Sequence, residues 1–217
     1  MSKVLILSKT RMANNNVCVG AIDLESSKSI RLLDRNGHHE SIDICEYNIY
    51  DAWEIDYVKH HGRLSPHNED VAVISKKKIG VKNKNLSLRT ILINNKAKLF
   101  SGDLQSIFDG CLKCTQNGAM YINEENTPNY STCFWISDKP MSINRFNNQI
   151  KYVYQDPLYR FGKQIKFVGL SNNIKDIIPA NTLIRFSLAH WWKPDNGGII
   201  ELRCYLQLSG IFEEIHE

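Results

Sequence analysis

The chain has 217 residues, which is room for one large domain or two small ones. Lys and Arg number 27 and Asp and Glu 23, so the formal net charge is 27 − 23 = +4, a surplus that admits a polyanion partner without demanding one. A hydrophobic content of 42% against 23% charged residues excludes a disordered chain, and no apolar run approaches the ~20 residues of a transmembrane helix.

The opening Met1-Ser-Lys-Val-Leu-Ile-Leu-Ser8 has four apolar residues in a row, too few for a signal peptide, so a cytoplasmic protein with no membrane contact is expected. Its six cysteines are then expected as thiols or metal ligands rather than disulfides. Period-two patterning bounded by Asn, Gly, Asp and Pro predicts strands at 4–7, 17–24, 29–33, 52–58 and 71–79. In the fourth, Trp53, Ile55 and Tyr57 share one face and Glu54 and Asp56 the other, the mark of a half-buried strand. Mixed apolar spacing at 86–94 and 103–108 predicts short helices, the second with Asp103 as an N-cap. Strand patterning resumes at 130–137, 149–154, 164–170, 182–190 and 201–212.

The two sets of strands correspond. Leu7-Ser8-Lys-Thr-Arg-Met12 matches Ile136-Ser137-Asp-Lys-Pro-Met141 at an offset of 137 − 8 = 129. Trp53-x-Ile-x-Tyr57, followed by Lys59-His60-His61, matches Ile184-x-Phe-x-Leu188, followed by His190-Trp191-Trp192, at 184 − 53 = 131. The closing strands end at Gly80 and Gly210, an offset of 130. Three marks in one order at nearly constant spacing point to a duplication. Each half has three strands, a connector (37–50 and 171–181) and two strands, and the second connector can form a helical turn over 172–178. That order is the one a five-stranded OB barrel uses, with a helix between its third and fourth strands. The expected fold is all-β with minor α: two tandem five-stranded OB-like barrels at 1–85 and 130–217, joined by a helical or irregular connector at 86–129.

Val4-Leu-Ile-Leu-Ser-Lys-Thr-Arg-Met12, Val17-Cys-Val-Gly-Ala-Ile-Asp23, Ile30-Arg-Leu-Leu33, Trp53-Glu-Ile-Asp-Tyr57, Pro66-His-Asn-Glu-Asp-Val71 and Arg203-Cys-Tyr-Leu-Gln-Leu-Ser-Gly210 resemble a prokaryotic family described as a dual OB-containing domain. The resemblance runs over nearly the whole chain. It implies two barrels that sense nucleic acid in bacterial conflict and anti-phage systems, here without a visible effector domain, and it implies no catalytic residue.

Between Val71 and Gly102 there is no Asp or Glu, while Lys76, Lys77, Lys78, Lys82, Lys84, Arg89, Lys96 and Lys98 fall there. Such a cluster can neutralise phosphates. It can equally be a solvated, aggregation-resistant edge. His190-Trp191-Trp192-Lys193-Pro194 falls where an OB barrel places the loop between its last two strands, and an exposed tryptophan there can stack on a base. The alternative is that these rings plug the barrel. The counterpart loop in the first half, Lys59-His60-His61-Gly62-Arg63, is basic instead of aromatic. On the final strand Arg203, Tyr205 and Gln207 face outward and offer charge, stacking and hydrogen bonding. Lys9 and Arg11, and Lys139 at the equivalent place in the second half, complete the nucleic-acid candidates, while Ser8 and Ser137 read as backbone-satisfying strand ends.

Cys111-Leu-Lys-Cys114 has zinc-knuckle spacing and Cys133 follows 19 residues later (133 − 114), but no second such pair exists to complete four ligands. Cys18 and Cys204 read as core thiols. Zinc is therefore a weak candidate, and no cofactor is expected. His60, His61, His67, Glu69 and Asp70 lie close in sequence and could hold a metal for hydrolysis, although Leu64-Ser-Pro-His-Asn-Glu-Asp70 reads equally well as a turn entering a strand, and the familiar catalytic motifs are absent from the sequence. The expected function is non-catalytic recognition of DNA or RNA in a prokaryotic defence system. The alternatives are a protein-binding adaptor that docks an effector through Trp191 and Trp192, and a metal-dependent nuclease built on the His60 to Asp70 cluster.

Overall fold

The computed structural model describes residues 1–60, 64–82, 87–170, 174–193 and 201–212. The apolar run at the start lies in β1 (Ser2–Arg11) and is buried on both faces. Val4 and Ile6 point into a barrel, while Leu5 and Leu7 point out of it into a second apolar cluster. A strand covered on both sides loses the reason to alternate, which is why this one reads as an unbroken run.

β1 pairs with β2 (Val17–Asp23) and with β4 (Asp51–Lys59), and the strands close in the order β1, β2, β3 (Lys28–Leu33), β5 (Asp70–Val81), β4. All pairs are antiparallel except β3 with β5, where Arg31 lies opposite Asp70. The predicted alternation in β4 holds: Trp53 and Ile55 are buried in the barrel and Tyr57 packs partly against it. Where an OB barrel commonly has a helix, residues 34–50 form turns and loop. Cys45 and Tyr47 from this loop fill the barrel end, with the Tyr47 ring edge-on to Trp53 at 4.9 Å.

α1 (Leu88–Asn94) starts at Ser87, whose hydroxyl accepts from the Thr90 N–H, and it buries Leu88, Ile91 and Leu92, a one-sided stripe at helical spacing. A 3-10 turn at Leu104–Gly110 is capped by Asp103, as its sequence predicts. The surrounding connector was expected to be helical or irregular, yet it also contains β6 (Leu99–Gly102), β7 (Lys113–Cys114) and β8 (Met120–Asn123). β6 runs parallel to β9 (Thr132–Ser137), and β8 pairs with β7 and with β15 (Arg203–Phe212).

The second half adds β10 (Met141–Phe146), β11 (Gln149–Tyr154), β12 (Lys163–Phe167), β13 (Ile177–Ile178) and β14 (Leu183–Leu188), arranged as β13, β10, β11, β12, β15, β14, β9, β6. This repeats the order of the first barrel, with strand one split into β9 and β10. Pro140 lies at the split, where it supplies no N–H to a ladder. β10 escapes the sequence pattern because Met141 alone in it is buried. The connector before β14 differs from its predicted helical turn: in its described part Ile177 and Ile178 are extended and pair with Ser142 and Met141. The parallel pair recurs between β12 and β15, with Lys166 opposite Gln207.

Register supports the duplication. Val4 lies opposite Trp53 and Trp135 opposite Ile184, so the pair recurs at 135 − 4 = 131 and 184 − 53 = 131. Each closing strand has a bulge just before its glycine, at Ile79 and at Ser209. A cluster of Leu5, Leu7 and Ile22 from the first half, Leu88, Ile91 and Leu92 from α1, and Phe134, Leu183 and Phe212 from the second joins the barrels. Because this core is shared, urea should unfold the protein in one transition, and Phe212→Ala should lower its stability by about 3 to 5 kcal/mol; two separated transitions would show barrels that fold independently.

Candidate nucleic-acid interface

The loop entering β5 carries the contacts that set one barrel against the other. Glu69 accepts hydrogen bonds from the Ser131 N–H at 2.6 Å and hydroxyl at 2.5 Å, and from the Thr132 N–H at 3.2 Å and hydroxyl at 3.4 Å. Ser65 donates to the Pro128 carbonyl and Asn68 to the Asn129 carbonyl, while His67 contacts the Ala189 carbonyl at 3.1 Å. Arg31 ties into the same network: it pairs with Asp70 at 3.3 Å, donates to the Ser131 hydroxyl at 2.7 Å and lies 3.8 Å from Glu69. Burial works to lower the Arg31 pKa, but Cys18, Asp70 and Glu69 together hold it above the usual value.

Two hollows flank this bridge, and both are lined by Ile30, Glu69 and Thr132. The larger, about 550 Å³, is walled by β1 to β3 on one side and by β12, β14 and β15 on the other, and it presents Arg11, Arg31, Lys166 and Arg185. The second, about 500 Å³, presents Lys28, Lys59, Lys96 and Lys98. Eight cations thus line the seam against one carboxylate, Glu69, already engaged by Ser131 and Thr132. Of these, Lys98 also lies 4.0 Å from Asp109 and over the Tyr130 ring.

From the larger hollow the outer face of β15 continues as an aromatic platform. Gln207 lines the hollow, and Tyr205 and Arg203 follow on the same face as the burial alternates. Tyr205 meets Tyr121 at 5.9 Å and Trp192 at 6.0 Å between ring centroids. Trp192 is half exposed, at 50%, and its backbone bridges to Arg203. Arg203 lies over the Tyr121 ring at 4.2 Å and pairs with Glu201 at 2.6 Å, so its charge is compensated. Hydrogen bonds from Asn123 and Arg203 hold the Glu201 carboxyl below its usual pKa.

The remaining predicted residues separate by environment. Trp191 is structural: its indole N–H donates to the Ser65 carbonyl at 2.8 Å and its ring packs on the second core. The His190 ring meets that of His67 at 4.8 Å, tilted by 50°, and lines the larger hollow, while Lys193 is exposed beside Trp192. Lys76 bridges Glu40 and Glu46 over the Tyr47 ring, and Lys78 pairs with Asp51 at 2.7 Å. Lys77 points to solvent opposite Glu54. Lys9 is buried with its ammonium on the Cys45 carbonyl, His60 sits against Gly37, and Lys139 lies over the Tyr154 ring. His61 and Arg63 lie outside the described residues. Cys111 and Cys133 are buried in the second core and Cys114 at its edge, and burial raises the pKa of all three thiols. Among the described residues no three His, Cys, Asp or Glu side chains are grouped so as to hold a metal. Arg31, Arg185, Lys166 and Lys28 were missed by sequence reasoning. The first two had a signal, an arginine inside an apolar strand segment, since arginine is rarely buried without a partner.

The family model described as dual OB-containing domain matches residues 2–211. The chain belongs to this family. No curated protein matches the sequence. Two solved structures align with it: a murine DNA-binding protein bound with double-stranded DNA, at 10% identity over 95% of this chain and 91% of that one (TM-score 0.29), and the p204 HINb domain, at 11% identity over 95% of each chain (TM-score 0.36). No helix among the described residues of this dual OB protein is long and apolar enough to cross a membrane.

The Glu69 network should be worth more than any exposed ion pair. Replacing Glu69 by Ala strands the Ser131 and Thr132 donors and leaves Arg31 a weaker counter-charge, an expected loss of about 3 to 5 kcal/mol in urea unfolding. Lys77→Ala, in the same experiment, should stay within about 0.5 kcal/mol of the wild type.

Proposed function

We propose that this dual OB protein is a non-catalytic nucleic-acid recognition module of a prokaryotic defence system, and that DNA or RNA lies along the seam between the barrels. The observation that carries the reading is the gathering of eight cations around the two hollows, whose lining holds one carboxylate, Glu69, with Asp70 and Asp109 behind it against Arg31 and Lys98. Phosphate contacts supply the sequence-independent part of such binding, and stacking on an aromatic supplies a second part that tolerates any base. Trp192 and Tyr205 stand next to the cationic seam on the face that would continue the path of a strand. The lysines of β5 contribute less than their number suggests, because Lys76 and Lys78 already have acidic partners.

Fluorescence anisotropy with single-stranded and duplex DNA and RNA over a salt series tests this. A seam that engages about 4 to 6 phosphates gives a slope of roughly −3 to −5 in log K against log salt, and Lys59→Ala reduces its magnitude by about 1. Trp192→Ala should cost about 1 to 3 kcal/mol of binding, and Lys76→Ala should alter affinity less than about twofold. Absence of binding at low salt, or affinity indifferent to salt, overturns the proposal. Cleavage of the same substrates with magnesium, manganese or zinc added would instead make the protein a nuclease.

A further inference from the structure

The larger hollow contains a cation whose burial calls for an anion. Arg185, on β14, is 5% exposed, and its guanidinium donates to the Ser209 hydroxyl at 3.0 Å. Among the described residues no ion pair within 4.0 Å engages it, and Glu69 acts on it only from a greater distance. Arg31 differs in this respect, since Asp70 and Glu69 both stand against it. The guanidinium rests on β2 at Gly20, where a Cβ would come within 2.5 Å of its Nη2 atom and of the Ser8 hydroxyl alike. The cradle is therefore built for this arginine. Burial lowers its pKa and the charge of Arg31 adds to this, while Cys18 and Glu69 act in the opposite direction without reversing the shift, so the cation is incompletely compensated where the fold places it.

The formal charges around the hollow define what would relieve this penalty. Arg11, Arg31, Lys166 and Arg185 contribute four positive charges and Glu69 and Asp70 two negative ones, which leaves 4 − 2 = 2 uncompensated. A phosphomonoester carries nearly that charge at neutral pH and accepts guanidinium bonds in pairs. The volume of about 550 Å³ is in the range of organic-ligand sites and exceeds the needs of a bare ion. Its apolar walls, Ile30, Phe167 and Leu188, and its polar groups, Thr10, Ser187 and Gln207, suit a base and sugar beyond the phosphate.

We infer that this hollow binds a phosphomonoester with Arg185 as its buried anchor: a nucleoside monophosphate, free or as the phosphorylated end of a nucleic-acid strand. The inference rests on the seam being the anion-binding face and adds an end-specific site to it. A strand anchored at its phosphorylated end would leave the hollow past Gln207 onto Tyr205 and Trp192, the next positions of the same face, about 7 Å on per pair of strand residues.

The test titrates the full chain with adenosine monophosphate, adenosine, and single-stranded 15-mers ending in a 5′-phosphate, a 3′-phosphate or hydroxyls alone. Adenosine monophosphate is expected to bind at least tenfold more tightly than adenosine. One phosphorylated end is expected to raise oligonucleotide affinity about tenfold, and Arg185→Gln to collapse that ratio to near one. If the variant fails to fold, Arg11→Ala combined with Lys166→Ala, both at exposed positions of the mouth, should lower affinity for the monophosphate at least fivefold. Discrimination for the monophosphate without discrimination between strand ends assigns the site to a free nucleotide. Binding of the monophosphate with no oligonucleotide bound supports the hollow and refutes the nucleic-acid reading. Oligonucleotides bound equally well whatever their ends, with the monophosphate no better than adenosine, overturn the inference and leave the broader reading intact.

Discussion

The carboxylate of Glu69 determines how the two barrels face each other. The apolar cluster around Leu5, Leu183 and Phe212 holds them together, but burial of oily surface is not directional and would tolerate small rotations. Four hydrogen bonds from two consecutive residues, Ser131 and Thr132, tolerate far less, because each requires its donor to point at one of two oxygens. The bridge is also narrow. Since it occupies only the middle of the seam, open space remains on both sides of it, and the two cation-lined hollows are that space.

The charge pattern in space differs from the pattern along the chain. The acid-free stretch of the sequence suggests one basic patch at the end of the first barrel. Folding brings Glu40, Glu46 and Asp51 from the preceding loop and strand onto Lys76 and Lys78, so the middle of that stretch is largely neutralised. Its later members, Lys96 and Lys98, instead join Lys28 and Lys59 around the smaller hollow. What accumulates at the seam is charge drawn from both barrels, and a net value of +4 gives no hint of it.

All ten predicted strands are present: those with one wet face, such as β4, record their geometry in the order of their residues, and those covered on both faces, such as β1, read as short apolar runs between turn residues. β6, β8 and β10 were not legible, being short or little buried, and their pairing depends on partners far along the chain. The same distinction separates the site residues. Trp192 was legible as an exposed ring in a loop, whereas the different role of its neighbour Trp191 depends on a carbonyl at Ser65, 126 residues away. Arg185 stood out as an arginine within an apolar strand segment, but its burial did not: in Ile184-Arg-Phe186 it occupies a position that alternation predicts to be outward, and the outside of that strand becomes buried when the other barrel covers it.

That covering also explains why a duplicated protein is not functionally symmetric. In two free OB barrels the loops between the last two strands would be equivalent and each could bind. Here the first of these loops extends into the second barrel, where Ser65, His67, Asn68 and Glu69 find their partners. In the second, His190 and Trp191 meet this clasp at His67 and Ser65, while Trp192 is half exposed. One copy has become the clasp and the other keeps the platform. The clasp adds a directional hold to the seam, which β1 also fixes through the Arg11 N–H on the Val168 carbonyl and the bridge of Thr10 to Gly169, and the hollow with walls from both barrels lies between these contacts.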